Sequence, residues 1–359
     1  MSQQGDTRGH EDDWWRELYE AGDGKPGDAG PSTAPDSLDD RVDSALGAVS
    51  PVSTVSPPPV VEFVGDRPPT YAPEPVALPA ADPADLAGLV PDTELDGAQY
   101  GTLTLRAASV RGDSARYRGD PRRDALLTAR FGAGRQTLLL IAVASGVHAS
   151  PEGHRAARDA CHWIGAAVGR SGARLADDIR TGRREALKSG LQRLTDRGYG
   201  RLRSRAAELG LDPHEYTASL RCLLLPADPA CRTRVFFGLG GGGLFRLRDG
   251  VWQDLEPPLP PDEAANLGVT EAPDTPEAAP DAIGEPFRFR ASVARSGDTL
   301  LLCSAGLAEP LREAPDFAAR LAGRWAETEP PGLVAFLADA QLRVKGHAKD
   351  RTAAAVWDS

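Results

Sequence analysis

The stretch Gly297-Asp298-Thr299-Leu300-Leu301-Leu302-Cys303-Ser304-Ala305-Gly306-Leu307 decides the fold. A glycine-aspartate turn signal opens it, an apolar run follows, and small residues close it at Ser304-Ala305-Gly306. Such a short run bounded by turn residues predicts a strand at Thr299 to Cys303. Upstream, strands are predicted over Thr102 to Arg106, Ala125 to Phe131, Thr137 to Val143, Thr217 to Leu225, Arg232 to Phe237, Leu244 to Leu247 and Phe287 to Val293. Ser150-Pro151-Glu152 supplies a cap, a first-turn proline and a favourable dipole charge for a helix over His154 to Val168. A second helical segment spans Arg174 to Leu209, and two more, Pro315 to Trp325 and Pro331 to Lys345, precede a last strand at Thr352 to Trp357. Consecutive strands joined by short turns, with the helices in separate pairs, predict an α+β fold of antiparallel sheets flanked by helices.

The 359 residues carry a net charge of −11. Residues 1–100 hold 5 Lys+Arg against 20 Asp+Glu, a net of −15, and 14 of the 31 prolines. The other 259 residues hold 36 against 32, a net of +4. Pro51-Val-Ser-Thr-Val-Ser-Pro57-Pro58-Pro59 and Tyr71-Ala-Pro73-Glu-Pro75 cannot donate a regular hydrogen-bond ladder, so residues 1–100 read as an acidic, Pro-rich disordered tail. Within it, Asp12-Asp13-Trp14-Trp15-Arg16-Glu17-Leu18-Tyr19 places Trp14/Leu18 and Trp15/Tyr19 four apart, a short helical motif (12–19) that docks on a partner or on the protein's own core. Residues 101–359 form the predicted folded domain, interrupted by an acidic, Pro-rich loop at 253–286 with nine acidic residues and no Lys or Arg. Four cysteines at irregular spacing fit a reduced compartment. No basic-then-apolar leader opens the sequence, and its longest apolar run, Leu138 to Ala144, is far short of the ~20 residues of a membrane helix, so the expected location is cytoplasmic, away from membranes.

Several turns at strand ends carry the functional signal. They are Gly119-Asp120-Pro121-Arg122-Arg123-Asp124-Ala125, Val143-Ala144-Ser145-Gly146-Val147, Gly238-Leu239-Gly240-Gly241-Gly242-Gly243, the Gly297 to Leu307 segment, and Lys349-Asp350-Arg351-Thr352-Ala353. In order and spacing this series resembles the metal-dependent type 2C (PPM-type) serine/threonine protein phosphatases over about Thr102 to Trp357. The resemblance implies a four-layer αββα sandwich of two antiparallel sheets flanked by helix pairs. It also implies carboxylates that hold two Mg²⁺ or Mn²⁺ ions at one rim, where a metal pair activates water for attack on phosphate.

Carried across residue by residue, the family's acids are mostly replaced. Its Glu-Asp pair lands on Arg123-Asp124, its Asp-Gly turn on Ser145-Gly146, its Gly-Asp-Ser turn on Gly240-Gly241-Gly242, its Ser-Asp-Gly-Leu on Ser304-Ala305-Gly306-Leu307, and its Asp-Asn-x-Thr on Lys349-Asp350-Arg351-Thr352. The resemblance thus implies a vestigial metal site of Asp124 and Gly146, with ligands lost at Arg123, Ser145, Gly241, Ala305 and Lys349. At ~4 Å and an effective dielectric near 20 each unit charge interaction is worth about 4 kcal/mol. Two cations beside the remaining carboxylate therefore oppose a divalent pair, and Arg123 or Lys349 is expected to fill the vacated space and pair with Asp124 and Asp350. No cofactor is expected, with Mg²⁺ or Mn²⁺ the ions if the vestigial site still binds metal.

In active relatives an arginine upstream of the acidic pair holds the substrate phosphate, and Arg118 or Arg116 is the nearest match; the alternative is a set of solvated arginines on an edge strand. The expected function is a pseudophosphatase, a regulatory or phosphoprotein-binding module whose partner is a protein such as a serine/threonine kinase or its phosphorylated substrate. An active phosphatase with a reduced metal site is the second reading. A third, a nucleic-acid module, rests on Arg193, Arg197, Arg201 and Arg205 recurring every four residues; with only Tyr199 interleaved, a solvated helix face accounts for them better.

Overall fold

A computed structural model of the chain describes residues 63–256, 286–327 and 329–359. The strands are β1 (Phe63–Val64), β2 (Thr93–Tyr100), β3 (Leu103–Val110), β4 (Asp124–Phe131), β5 (Leu138–Gly146), β6 (Ala218–Pro226), β7 (Thr233–Leu239), β8 (Gly243–Arg248), β9 (Val251–Asp254), β10 (Arg288–Val293), β11 (Thr299–Cys303), β12 (Arg343–Val344) and β13 (Arg351–Asp358). The α-helices are α1 (Asp113–Arg118), α2 (Gly153–Arg180), α3 (Arg184–Leu209), α4 (Ala305–Glu313), α5 (Pro315–Trp325) and α6 (Leu333–Ala340). One sheet has five strands in the order β10-β7-β6-β5-β4, the other six in the order β2-β3-β13-β11-β8-β9, and every pairing within them is antiparallel.

The alternation of side chains along central strands builds the layers. On β5, Leu138, Leu140, Ala142 and Ala144 pack with α2 and α3, while Leu139, Ile141 and Val143 face the core between the sheets. On β13, Ala354 and Val356 face that same inner core, and Ala353, Ala355 and Trp357 join the cluster under α4, α5 and α6. Strands buried on both faces read as continuous apolar runs, the pattern of Leu138 to Ala144. The outcome is the four-layer αββα sandwich expected from the sequence.

The outer layers are pinned by aromatic and polar contacts. Trp325 stacks on Phe336 at 5.2 Å, meets Trp357 edge-on at 5.7 Å, and donates its indole N–H to Asp339 Oδ2 at 2.9 Å. On the other side the buried Tyr199 hydroxyl donates to the Ala218 carbonyl at 2.6 Å, tying α3 to β6. Tyr199→Phe is expected to cost about 1–2 kcal/mol by removing that donor from a buried carbonyl, read as a lower urea midpoint at unchanged m-value.

Three expectations are corrected, and one helix was not read from the sequence. The predicted gap between helices at Val168 and Arg174 does not exist: α2 runs to Arg180, and Gly169 is there for close packing, since a Cβ would lie 2.6 Å from the Phe131 ring. The helix predicted over Pro331 to Lys345 stops at Ala340, because Arg343 and Val344 pair in parallel with Phe63 and Val64. Helix α4 was hidden by Pro310 inside it. The boundary at 100/101 falls in a hairpin turn: β2 pairs with β3 from Thr93↔Val110 to Tyr100↔Leu103, so the sheet begins inside the segment read as tail. The motif at 12–19 and residues 257–285 of the acidic loop lie outside the described residues. No helix among the described residues is long and apolar enough to cross a membrane.

Candidate functional site

Strand ends from both sheets meet at one rim. Asp124 opens β4 opposite Ser145 at the end of β5, and Ser145 in turn faces Ser219. From the six-stranded sheet, Thr352 on β13 faces Ser109 on β3, and Ser304 follows the last residue of β11. The Thr352 hydroxyl donates to Asp124 Oδ2 at 2.8 Å, and Ser109 Oγ lies 2.7 Å from that same hydroxyl oxygen. The Thr352 N–H donates to Ser304 Oγ at 3.0 Å. The chain thus surrounds the buried Asp124 carboxylate with neutral hydroxyls.

Asp124 is 5% exposed. Burial first, and the Asp350 charge second, push its carboxyl up to about 7, while the hydroxyls of Ser145, Ser304 and Thr352 pull it down. The Asp350 carboxylate accepts the backbone N–H groups of Gly112 at 2.7 Å and Arg123 at 2.6 Å.

The expected cation in the vacated space is corrected on both counts. Lys349 points outward, with its side chain 59% exposed, and donates to Glu309 at 2.7 Å. Arg123 turns its guanidinium toward Asp120 at 3.6 Å and meets Asp350 only through its backbone N–H. Lys349 pairs at the solvent edge, where its ammonium keeps its hydration, rather than beside a desolvated carboxylate. Gly146 is required by sterics, because a Cβ there would lie 1.9 Å from the Gly153 carbonyl oxygen where β5 passes under the start of α2. Ala305 begins α4, and Gly241 lies in the turn between β7 and β8.

Whether this rim suits a divalent pair follows from its donor set. Two carboxylates are present; Asp124 accepts from the Thr352 hydroxyl, and Asp350 accepts from two backbone N–H groups. Hard divalent cations need several charged oxygen ligands, and serine and threonine hydroxyls are weak substitutes. Among the described residues no group of three or more His, Cys, Asp or Glu side chains is placed to hold a metal ion. The residues do not fit the pair.

Sequence reasoning missed the arginine arrangement beside the rim. Arg122, 1% exposed, donates to the carbonyls of Asp124 at 3.1 Å and Ser109 at 2.8 Å and pairs with Glu94 at 2.8 Å, bracing the two sheets together. Arg116 sits on α1 rather than an edge strand and grips Asp92, as does Arg111. Arg118 pairs with Asp120 at 2.8 Å and lies 3.2 Å from His148 Nε2. Asp92 and Glu94 stand two apart at the start of β2, a spacing that puts both on one face; that was the signal available in the sequence. A cleft of about 110 Å³ runs between Leu89–Pro91 and α2, lined by Arg122, Glu94, Asp124, His154 and His162. The ridge of Arg193, Arg197, Arg201 and Arg205 is exposed along α3, with Arg205 held by Glu208 at 2.8 Å.

The family described as protein phosphatase 2C matches residues 111–343. No curated protein matches the chain. Among solved structures, the chain is similar to the Mycobacterium tuberculosis serine/threonine phosphatase PstP/Ppp, with 20% identity, coverage of 71% of this chain and 97% of that one, and a TM-score of 0.43. It is similar to PppA, a regulatory component of T6SS in Pseudomonas aeruginosa, at 18% identity, 74% and 100% coverage and a TM-score of 0.47. RsbX, solved with magnesium, gives 9% identity, 74% and 100% coverage and a TM-score of 0.46.

Proposed function

Because the chain belongs to the protein phosphatase 2C family through residues 111–343, we propose that it works as a pseudophosphatase, a regulatory module that recognises a phosphoprotein without hydrolysing it. One observation carries this reading: the rim holds a single buried carboxylate, Asp124, inside a hydroxyl network, with Arg123, Ser145, Gly241, Ala305 and Lys349 at the positions where the family's acids fall. A metal pair, where a protein holds one, supplies activated water and charge for attack on phosphate. Here Asp124 instead serves the fold, accepting from Thr352 while its backbone carbonyl accepts from Arg122. The partner this supports is a phosphorylated protein, a serine/threonine kinase or its substrate, recognised through guanidinium groups beside the rim.

In excess Mn²⁺, hydrolysis of p-nitrophenyl phosphate and of a phosphothreonine peptide is expected to equal the no-protein blank, and Asp124→Ala to leave that rate unchanged. Turnover above the blank that disappears in Asp124→Ala overturns the proposal. Calorimetric titration with Mn²⁺ is expected to give no saturable heat.

A further inference from the structure

An exposed arginine row is by itself a solvated helix face, and three features of α2 and α3 make more of it. We propose that the cleft between these helices is a docking site for an acidic segment of a partner protein, one that seats an apolar side chain between carboxylates. The inference concerns a surface away from the rim and stands whether or not the rim hydrolyses phosphate.

The first feature is the cleft itself. A hollow of about 170 Å³ opens between the two helices, with Leu175 and Leu194 in its walls and Arg174, Arg193 and Arg197 around it. Leu175 is buried and Leu194 packs against the core cluster, so the apolar part is fixed to the body of the fold. The second feature is a glycine that packing does not call for. Gly190 lines the cleft in the interior of α3, where a Cβ would meet nothing within 4 Å. Glycine weakens a helix interior relative to alanine, and here its missing side chain leaves depth.

The third feature is charge without partners. Helix α3 carries seven Lys and Arg against three Asp and Glu. Among the described residues Arg193, Arg197 and Arg201 have no ion-pair or hydrogen-bond partner. Like charges one helical turn apart repel, and an anion laid along them relieves that repulsion. Nearby acids do not: Asp178 is held by Arg183 at 2.8 Å and Arg174 at 3.8 Å, Asp177 by Arg180 and Arg183, and Glu208 by Arg205, while Asp196 does not line the cleft. Carboxylates brought from outside meet Arg193 and Arg197 together, and charged side chains of this length cover apolar surface with their stems.

The lining favours a peptide over a nucleic acid. No aromatic side chain lines the cleft to stack a base, and a phosphate backbone makes no use of an apolar hollow. The cleft lies roughly 30 Å along α2 from Gly153, where that helix starts at the rim. Helix α3 runs back toward the rim, since Tyr199 is tied to Ala218 and Ala218 pairs with Gly146. The arginine row therefore gives a segment seated in the cleft a track in that direction.

The test selects a phage-displayed library of random peptides on the full chain, in chelator and physiological salt, and measures the enriched peptides and an oligothymidylate by fluorescence anisotropy. Enriched sequences are expected to carry several Asp or Glu around one large apolar residue. Their affinity is expected to fall roughly tenfold or more in Gly190→Leu, which fills the hollow, and in the double variant Arg193→Gln/Arg197→Gln. It is expected to stay unchanged in Arg203→Gln, on the same helix outside the cleft. Gly190→Leu is expected to melt at or above the wild-type temperature, since leucine favours a helix; should it misfold, the exposed arginine pair still decides. Absence of enrichment, enrichment without an acidic excess, or equal binding by all variants overturns the site. An oligothymidylate that outcompetes the peptides and ignores Gly190→Leu overturns the peptide reading in favour of nucleic acid.

Discussion

Asp113→Ala is expected to destabilise the domain by about 3–5 kcal/mol, enough to remove a large part of the stability of an ordinary domain. Asp113 is 2% exposed and accepts from Arg343 Nε at 3.0 Å on Oδ2 and from Arg351 Nη2 at 2.9 Å on Oδ1. Both arginine side chains are buried, at 7% and 3% exposure. Truncating the shared acid leaves two desolvated guanidiniums side by side, and the repulsion between them adds to the lost pairing. The same reasoning gives a rescue: replacing Asp113, Arg343 and Arg351 together by apolar residues of similar volume should restore most of the loss, because the cost lies in the unpaired charge. Urea unfolding measures both. A single-variant loss under about 1 kcal/mol would show that water reaches the triad and would discard this account.

The second large effect is a pH dependence centred on Asp124. An unperturbed aspartate titrates near 3.9, and burial, with the Asp350 charge second, pushes this carboxyl up to about 7 in the folded chain. Below both values the group is protonated in either state and contributes nothing. Above both it is ionised in either state, and the fold bears the full penalty of burying it near Asp350. Stability is therefore lost as pH rises from about 4 to 7, by up to about 4 kcal/mol for a shift of this size. Asp124→Asn cannot ionise, and its side-chain oxygen still accepts from Thr352. The variant is expected to match the wild type near pH 4 and to exceed it by several kcal/mol at pH 8, read from denaturation midpoints in chelator. A difference between the two that stays flat across that range would rule out a raised carboxyl.

The sequence made most of the sandwich legible because its central strands announce themselves. Leu138 to Ala144 and Thr299 to Cys303 are apolar on both faces, so no choice of register was needed to recognise them. Pro315 to Trp325 was legible to the residue, since proline at the first turn and an apolar stripe agree there. Strand β2 was not: an edge strand with one wet face, Thr-Glu-Leu-Asp-Gly-Ala-Gln-Tyr, looks like a polar linker until β3 is known to lie beside it. The rim was legible as an alignment of turns and illegible as electrostatics. Nothing local to Lys349 reports Glu309, forty positions away, and nothing near Arg116 reports Asp92. Ion pairing across the chain decided where both cations went.

Strand β13 gives the architecture a temporal side. Residues 351–358 are all buried and sit third in a six-stranded sheet, between β3 and β11, so they separate two parts of the sheet that are both made before them, β2 and β3 long before. During synthesis the hairpin of β2 and β3 and the β8–β9–β11 group have no direct ladder to each other until this segment leaves the ribosome. The open edges of β3 and β11 then invite pairing with other chains. Expression of chains stopped before Arg351 should yield aggregates rather than a smaller folded domain, and slowing translation should lengthen the interval in which chaperones must cover those edges.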